Sequence, residues 1–450
     1  MLASPKKMFA FLDIKPFTFN PPLFLALLFL GFVVGGGLLL KLPIALEHPI
    51  SWIDAFFVAT SAATVTGLSP ADPGTTFTYF GKTVIMVLIQ VGGLGVMSFA
   101  VLFVILLGRK VSIRQRQLMQ EALNQPSIGG VIRLVFWLFA FSLMIECFAA
   151  AVLAFRMVPL FGWGKGLFYS IFHAVSAFNN AGFALFPDNL IRFVGDPVIN
   201  LTITLLIISG GFGFTVLADL FTRRRFRKLS LHSRIMIVGT VIVNVFAIFA
   251  IYLIEYHNPA TLGALSGGDK IWAAYFQGIT PRTAGFNTID YGGMTTAGLL
   301  LTIFLMFIGA GSTSTGGGIK LTTFIVILAE VAAFLKGKKE VEIARRTISG
   351  RVIARAMAIV TVSMLLMMIS LFLLSLTEKA PFIDIVFEAF SAFGTVGLTV
   401  GLTSHLSIFG KLIIMCLMFF GKVGPLTLAF SFSKRTLANI RYPDEDILTG

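Results

Sequence analysis

Long apolar stretches alternate with short polar segments, most of them basic, from one end of the chain to the other. An α-helix needs about 20 apolar residues to cross a hydrocarbon core of about 30 Å, and many stretches here are that long. Five basic clusters separate four apolar blocks. The pattern therefore predicts a helical membrane protein that crosses the bilayer many times.

Each block predicts two full crossings, because the basic clusters on either side of it are both expected in the cytoplasm. The first crossings are predicted near 22–44, 130–155, 235–255 and 352–376, and the return crossings near 78–107, 197–220, 297–335 and 409–432. The chain then divides into a cytoplasmic N-terminus at 1–20, repeats at 21–108, 109–222, 223–336 and 337–434, and a cytoplasmic C-terminal tail at 435–450.

Between its two crossings, each block carries an apolar segment of about a dozen residues, which is too short to span and is typical of a re-entrant element. Each segment leads to a glycine that is followed by Leu or Phe and preceded, by ten positions, by an aromatic residue. Further along each block lies a second cluster of small residues, at 92–95, 210–213, 309–311 and 421–424. This recurrence predicts an all-α membrane protein with eight transmembrane helices and four re-entrant pore loops, a four-fold pseudosymmetric set of helix, pore loop and helix units. The second cluster alone is equally well explained by close helix packing.

Backbone carbonyl groups at membrane depth need partners, and a dehydrated cation is a suitable one. Rings of carbonyl oxygens can replace the hydration shell of a potassium ion, and glycine lets the chain point its carbonyls inward. We define the filter loops as 64–67, 179–182, 282–285 and 394–397 and predict that their backbone binds potassium. Their residues are Thr64, Val65, Thr66 and Gly67; Asn179, Asn180, Ala181 and Gly182; Arg282, Thr283, Ala284 and Gly285; and Gly394, Thr395, Val396 and Gly397.

Two further features favour cations over anions. The short helix before each filter loop would direct its partially negative C-terminal end toward the ion. Acidic residues expected on the outer side would raise the local cation concentration. These acidic residues are Glu47, Asp54, Asp72, Asp188, Asp196, Asp290 and Asp384.

The third return crossing is too long for one helix, since about 40 residues would extend about 60 Å, twice the hydrocarbon thickness. Its middle is predicted to unwind and to form a flexible intramembrane gate, with a passive kink as the alternative. We define the gate segment as 309–318, which comprises Gly309, Ala310, Gly311, Ser312, Thr313, Ser314, Thr315, Gly316, Gly317 and Gly318. Lys422, inside the fourth return crossing, could tether this segment, set a barrier to ions, or extend toward the cytoplasmic interface. For Glu146, near the middle of another span, the sequence identifies no partner.

Composition and charge exclude several other classes of protein. Of the 450 residues 56% are hydrophobic and only 12% are charged, and the mean hydropathy of +0.91 excludes a water-soluble globular fold. The net charge of +14 does not indicate nucleic acid, because the basic residues lie in clusters between spans. Cys147 and Cys416 lie in apolar stretches without metal-type spacing. No nucleophile, metal cluster or acid and base pair of an enzyme is evident within a span.

The filter loops resemble those of the Trk/Ktr/HKT superfamily of potassium transporters, most closely the KtrB/KtrD-type membrane subunits of bacterial Ktr systems. The resemblance covers nearly the whole chain. Its most specific motifs are Thr64-Val65-Thr66-Gly67-Leu68, Asn179-Asn180-Ala181-Gly182-Phe183, Pro281-Arg282-Thr283-Ala284-Gly285-Phe286-Asn287 and Phe393-Gly394-Thr395-Val396-Gly397-Leu398. The resemblance implies potassium uptake across the bacterial plasma membrane, a homodimer of such pores, and a gate at 309–318.

The same resemblance implies a cytosolic partner, a ring of RCK-type subunits of the KtrA/KtrC kind that binds ATP or ADP and opens the gate. This chain itself would carry potassium ions in its pore and no organic cofactor, since no nucleotide motif follows a strand. Glycine in all four filter loops is the potassium-selective pattern of the family, while sodium coupling or stimulation stays open. Lys422 departs from the arginine usual in the family, which keeps the charge but loses the bidentate geometry.

An alternating-access cation symporter built from broken helices is the alternative function. Inverted repeats would favour it. Here each repeat contains two crossings, so all four repeats share one orientation and surround an axis normal to the membrane. This arrangement favours a pore.

Overall fold

The computed structural model describes residues 21–95, 98, 99, 102, 105, 131–223 and 225–424. The predicted cytoplasmic termini and the basic cluster at 109–116 lie outside these residues. Within them the chain is predominantly helical, and its only strands form one two-stranded hairpin.

Each block contains a long helix, then a short buried helix and then one or two further helices. Block one contains α1 (Pro21–Leu40), α2 (Trp52–Thr64), α3 (Pro73–Thr76) and α4 (Tyr79–Leu94). Block two contains α5 (Val131–Phe161), α6 (Trp163–Phe178), α7 (Pro197–Phe212) and α8 (Phe214–Arg223). Block three contains α9 (Leu231–Glu255), α10 (Gly267–Ile279), α11 (Thr296–Phe307) and α12 (Leu321–Leu335). Block four contains the hairpin β1 (Glu342–Ile343) and β2 (Arg346–Thr347), then α13 (Gly350–Thr377), α14 (Phe382–Gly394) and α15 (Ile408–Val423).

The first helix of each block, α1, α5, α9 and α13, is long and apolar enough to cross a membrane. These four helices coincide with the four predicted first crossings. Only 22–33% of the residues in their apolar windows are buried inside the protein. Their remaining apolar surface is available to lipid.

Only part of the predicted return crossings lies within the described residues, because the first and the fourth were predicted to run on to 107 and 432, largely or wholly outside the description beyond Gly95 and Gly424. Helices α7 and α8 meet at a bend of 95°, which is either a broken span or a re-entrant loop, while α4, α11 and α12 are apolar helices of 16, 12 and 15 residues. Helices α4, α7 and α15 each end at a glycine with positive φ, Gly95, Gly213 and Gly424, at 91°, 91° and 93°. Glycine adopts this conformation without steric cost, so the chain turns out of the helix at each of these points.

The return helices begin at polar caps that tie them to the preceding long helix. The carboxylate of Glu255, at the end of α9, accepts hydrogen bonds from the hydroxyl (2.6 Å) and the N–H (3.1 Å) of Thr295, which caps α11. Glu378, next to the end of α13, accepts the same two bonds from Ser407, which caps α15 (2.5 and 3.0 Å). In blocks three and four, a glutamate at the end of the long helix therefore holds the start of the return helix through the same pair of hydrogen bonds.

The four blocks close into a ring. Each return helix packs against the short helix of the next block: α4 against α6, α7 against α10, α11 against α14, and α15 against α2. The short helices occupy the inside of this ring, where Phe57, Phe172 and Phe387 are completely buried. These are three of the four aromatic residues that precede the filter glycines by ten positions, so the recurrent aromatic is a packing residue.

Candidate functional site

The structure brings the four filter glycines together at the centre of the ring. A Cβ atom placed on Gly67 would lie 3.1 Å from Cα of Gly182, and one on Gly182 would lie 2.8 Å from Cα of Gly285. A Cβ atom on Gly285 would lie 3.3 Å from Cα of Gly397, and one on Gly397 would lie 3.0 Å from Cα of Gly67. The glycines therefore contact one another in cyclic order, and none of them has room for a side chain.

All four filter loops share an unusual backbone conformation. Each glycine has a positive φ, and so does the residue two positions before it. Those residues are Val65 at 53°, Asn180 at 58°, Thr283 at 66° and Thr395 at 49°. Positive φ is a steric outlier for β-branched residues and costs about 1–3 kcal/mol where it occurs. A backbone that repeatedly enters this region turns successive carbonyl groups toward the same side, as a ring of carbonyl ligands requires.

Buried hydroxyl groups hold the filter loops in this conformation. Ser61 and Ser391 each accept the N–H of the filter glycine in their own block, both at 3.0 Å. Ser176 and Thr280 instead donate to the carbonyl of the aromatic residue after the glycine, at 2.8 and 2.5 Å. Every block thus ties its loop to the end of its short helix.

Not every predicted ion-binding residue lies in the extended part of a loop. Thr64 and Gly394 are the last residues of α2 and α14, and Asn179 is the C-cap of α6. The side chain of Arg282 turns away from the loops and donates to Oδ1 of Asn244 on α9, at 3.1 Å. Only its backbone is placed beside the other filter residues, so a guanidinium group does not face the ring.

The predicted break in the third return crossing is present, since residues 308–320 between α11 and α12 are not helical. Backbone hydrogen bonds hold the gate segment between blocks two and four. The N–H of Gly311 donates to the carbonyl of Gly211 at 2.8 Å, and that of Gly318 donates to the carbonyl of Gly421 at 3.3 Å. The segment therefore has defined partners on two sides.

The gate segment also contacts two filter loops directly. The N–H of Gly317 donates to the hydroxyl of Thr395 at 2.8 Å. A Cβ atom on Gly316 would overlap the side chain of Thr283, and one on Gly318 would lie 3.2 Å from Cα of Gly394. The gate segment therefore lies directly against the third and fourth filter loops.

Two lysines donate to carbonyl groups of the gate segment. Nζ of Lys422 lies 2.5 Å from the carbonyl oxygen of Thr315, so this side chain contacts the segment and does not extend toward the interface. Nζ of Lys320 lies 2.6 Å from the carbonyl oxygen of Gly316. Sequence reasoning missed Lys320, although a charge within the third return crossing was the same signal that singled out Lys422.

The second small-residue clusters serve close backbone approach. A Cβ atom on Gly92, Gly210 or Gly421 would overlap the carbonyl oxygen four residues before the filter glycine of the same block. The clusters therefore let the return helices pack against the ends of the short helices, which is the packing explanation that the sequence left open. Gly309 departs from this pattern and faces the carbonyl of Gly317 instead.

Several of the acidic residues that were predicted to lie on the outer side have structural partners. Asp54 pairs with Lys411 at 2.7 Å, Asp188 with Arg192 at 2.6 Å, and Asp196 with Arg156 at 2.6 Å. Asp72, Asp196 and Asp290 also cap helices. Because these carboxylates are paired or hydrogen-bonded, we expect them to raise the local cation concentration less than the sequence suggested.

The sequence model of the TrkH family, described as cation transport protein, matches residues 32–439. "Ktr system potassium uptake protein B" of Bacillus subtilis (strain 168) is 56% identical over 437 residues, which cover 97% of this chain and 98% of that protein. The protein of the same name from Vibrio alginolyticus is 44% identical over 431 residues, 95% of each chain. "Potassium/sodium uptake protein NtpJ" of Enterococcus hirae is 40% identical over 440 residues, covering 96% and 97%.

A solved structure shares the fold. The crystal structure of the potassium transporter TrkH from Vibrio parahaemolyticus matches with a TM-score of 0.71 and 19% sequence identity, covering 94% of this chain and 86% of that chain.

Proposed function

Because the chain belongs to the TrkH family of cation transport proteins, we propose that it is the potassium-conducting membrane subunit of a bacterial potassium uptake system. Family membership makes the chain a transport protein and not an enzyme. The relatives from Bacillus subtilis and Vibrio alginolyticus are named as potassium uptake proteins of Ktr systems, which supports potassium as the transported ion.

The observation that carries this proposal is the cyclic contact of Gly67, Gly182, Gly285 and Gly397. Four loops with matching positive φ angles surround one axis, so their carbonyl oxygens can take the place of water around an ion on that axis. The short helices end at these loops, and the partially negative helix ends favour a cation there. Selectivity for potassium then depends on the main chain, with the buried hydroxyl groups fixing the spacing of the oxygens.

The proposed membrane arrangement has eight crossings, with both termini in the cytoplasm and the protein in the plasma membrane. Four long apolar helices support the first crossings, and the bent pair α7 and α8 supports a broken return crossing. The basic residues at 223–228 and 336–346 lie between blocks, on the side that the positive-inside rule assigns to the cytoplasm.

The gate segment 309–318 is proposed to obstruct the ion path on the cytoplasmic side of the filter. Its hydrogen bonds to blocks two and four and to Thr395 give it one defined position, and Lys422 and Lys320 add charge-assisted bonds. Their ammonium groups also oppose the passage of a cation at this level. Opening requires these bonds to break, which makes the segment a suitable point of control.

The proposed control is exerted by a cytosolic ring of nucleotide-binding subunits, and the membrane subunit is proposed to form a homodimer. The names of the Ktr relatives describe each as one protein of a system, which supports a separate partner. ATP or ADP is then bound by the partner. Sodium stimulation belongs to the same proposal, since the relative NtpJ is named as a potassium/sodium uptake protein.

Potassium uptake by a potassium-uptake-deficient bacterium expressing this chain tests the proposal. Growth at low potassium should be restored, and uptake should be faster when a cytosolic partner subunit is expressed with the chain. Repeating the measurement with and without sodium separates stimulation from simple conduction. Uptake no greater than that of cells with an empty vector, with and without the partner, would exclude the proposed function.

A further inference from the structure

A buried carboxyl group lies behind the second filter loop. Glu146, in the middle of α5, is only 5% exposed. Nε2 of Gln90 on α4 lies 3.1 and 3.0 Å from its two carboxyl oxygens. The structure thus provides the partner that the sequence could not identify, and the pair lies where three helices of blocks one and two meet.

The same cluster includes Asn179, with which the second filter loop begins. Its Nδ2 lies 2.7 Å from Oε1 of Gln90, 2.9 Å from the carbonyl oxygen of Val175 and 3.3 Å from Oε1 of Glu146. Two amide hydrogens therefore face three acceptors. Oδ1 of Asn179 is buried and has no hydrogen-bond partner. The acceptors fix the orientation of this amide, because turning it over would place its oxygen against three other oxygens.

Packing alone does not explain a carboxyl group at this position. Within the described part of the chain, none of the salt bridges involves Glu146. A buried carboxyl group without a cation is costly, and an apolar residue of similar volume would fill the same space at lower cost. Ionisable residues inside a membrane span are functional candidates for this reason.

Block three contains a parallel arrangement. Arg282 occupies the position three residues before its filter glycine, as Asn179 does in block two. It is likewise hydrogen-bonded to a polar side chain of the long helix of its block, Asn244 on α9, at 3.1 Å. Two neighbouring filter loops are thus anchored from outside by polar groups on the first crossing of their block.

We propose that Glu146 is a positioning residue of the filter, which holds Asn179 together with Gln90 and thereby contributes to the selectivity for potassium over sodium. This inference rests on the proposed function and adds a selectivity determinant to it. Carbonyl oxygens distinguish ions by their number and spacing, so a small shift at the start of the second filter loop changes the preference. Asn180, the next residue, already carries a strained φ of 58°, so the loop relaxes if its anchor is removed.

The decisive variant is Glu146→Leu, which removes both acceptors and keeps the volume. Potassium and sodium KM values are measured in cells that express the chain with its partner, normalised to the amount of protein in the membrane. Selectivity should fall by about twofold to thirtyfold, the range typical of residues that act on a site without touching its ligand. Thermal stability should fall, because Nε2 of Gln90 loses both of its acceptors. Selectivity is therefore the deciding measurement, since a purely structural role would lower stability and leave selectivity unchanged.

Four further variants, one of them a double variant, make the test specific. Glu146→Gln retains one acceptor and should restore part of the selectivity. Gln90→Leu should reduce selectivity in the same direction, and combining it with Glu146→Leu should add little, because both act through Asn179. Glu255→Gln is the matched control, since that carboxyl group is completely buried at the outer end of α9 and bonds to Thr295, away from the filter. It should leave selectivity unchanged.

The outcomes separate this inference from the proposed function. If selectivity is unchanged in both Glu146→Leu and Gln90→Leu while potassium uptake is retained, the role of Glu146 is overturned and the proposed function stays intact. If Glu146→Leu does not reach the membrane, unchanged selectivity in Gln90→Leu overturns it equally. Failure of the unmodified chain to take up potassium overturns the proposed function itself.

Discussion

Each filter glycine faces the backbone of the next filter loop, so at the residue scale a single added atom is enough to disturb the ring. A Cβ atom on Gly67 would lie 2.5 Å from the carbonyl oxygen of Ala181, and the φ of +101° already disfavours any side chain. Backbone atoms cannot move aside as the end of a flexible side chain can. The preference for glycine is therefore both conformational and steric.

The substitution Gly67→Ser should lower the selectivity for potassium over sodium, because the new side chain displaces the oxygens of the second filter loop. Competition between the two ions for uptake measures this. Gly401→Ser is the matched control, since Gly401 has a φ of +100° but nothing within 4 Å of an added Cβ atom. If both variants change selectivity equally, backbone strain and not the ring contact is responsible, and the filter assignment loses its support.

The sequence predicted the filter glycines because backbone geometry demands the same residue in all four blocks. It did not predict the direction of the Arg282 side chain, which depends on Asn244 in a helix about 40 residues away in sequence. Nor did it predict the positive φ of Val65, because valine is a residue type that rarely adopts it. Such features depend on tertiary contacts, which a local sequence pattern does not reveal.

At the scale of elements, the breaks in the return helices are the places where we expect the backbone to move. The break between α11 and α12 was predictable from length alone, since one helix could not span both segments. The 95° bend between α7 and α8 was not predictable from the sequence, because a glycine such as Gly213 is equally typical of close helix packing. The bend places the carbonyl groups of Gly210 and Gly211 beside the gate segment, where they accept its N–H groups.

Replacing Lys422 by methionine should increase potassium flux in the absence of the cytosolic partner. The variant removes the bond to the carbonyl of Thr315 and a positive charge beside the ion path, so the closed position of the gate segment becomes less favourable. Rubidium uptake with and without the partner measures the change. Lys411→Met is the control, since Lys411 lies on the same helix but far from the gate segment. Flux through this variant should remain dependent on the partner. A Lys422→Met variant with the same dependence would refute the role of this lysine.

One ion pair links the last block to the first. Lys411 on α15 contacts Asp54 on the short helix α2 at 2.7 Å, with 13% and 20% of the side chains exposed. Burial by itself raises the pKa of Asp54, but hydrogen bonds from Lys411 and Ser51 outweigh it and hold the pKa below its ordinary value. A carboxyl group with a lowered pKa stabilises the fold at neutral pH, and this contribution is lost as the pH falls through the lowered pKa.

The variant Asp54→Asn should therefore unfold at a lower temperature than the unmodified protein at pH 7, by an amount equivalent to about 1 kcal/mol. The difference should shrink in acid, where the unmodified carboxylate also becomes protonated. Thermal unfolding of the purified protein at several pH values measures both effects. Lys338→Met, which removes an exposed pair with Glu342, should leave the midpoint unchanged. Equal midpoints for Asp54→Asn and the unmodified chain at pH 7 would show that the pair does not stabilise the ring.

At the scale of the whole molecule, four blocks produce one closed ring. The basic clusters and the recurring motifs predicted the number of blocks. This was possible because both depend only on membrane topology and local chemistry. The order of contacts around the ring, with each return helix against the next short helix, could not be read from the sequence because it is a matter of packing between blocks. The closed ring provides a stable axis that no single block could form.

In the proposed mechanism, the protein first attracts and then opposes a cation along this axis. The ends of four short helices and the carbonyl groups of four loops favour a cation at the filter. The ammonium groups of Lys320 and Lys422 lie beyond it, against the gate segment. In the proposed mechanism, selection and control are therefore exerted at adjacent levels, and the hydrogen bond between Gly317 and Thr395 joins these two levels.

The most direct test of this account is a crystal structure of the protein grown in rubidium chloride, with anomalous diffraction recorded at the rubidium edge. Ordered rubidium should lie on the axis enclosed by Gly67, Gly182, Gly285 and Gly397, within ligand distance of carbonyl oxygens from all four loops. Rubidium bound elsewhere in the membrane region, with none on that axis, would contradict the claim that these loops conduct the ion.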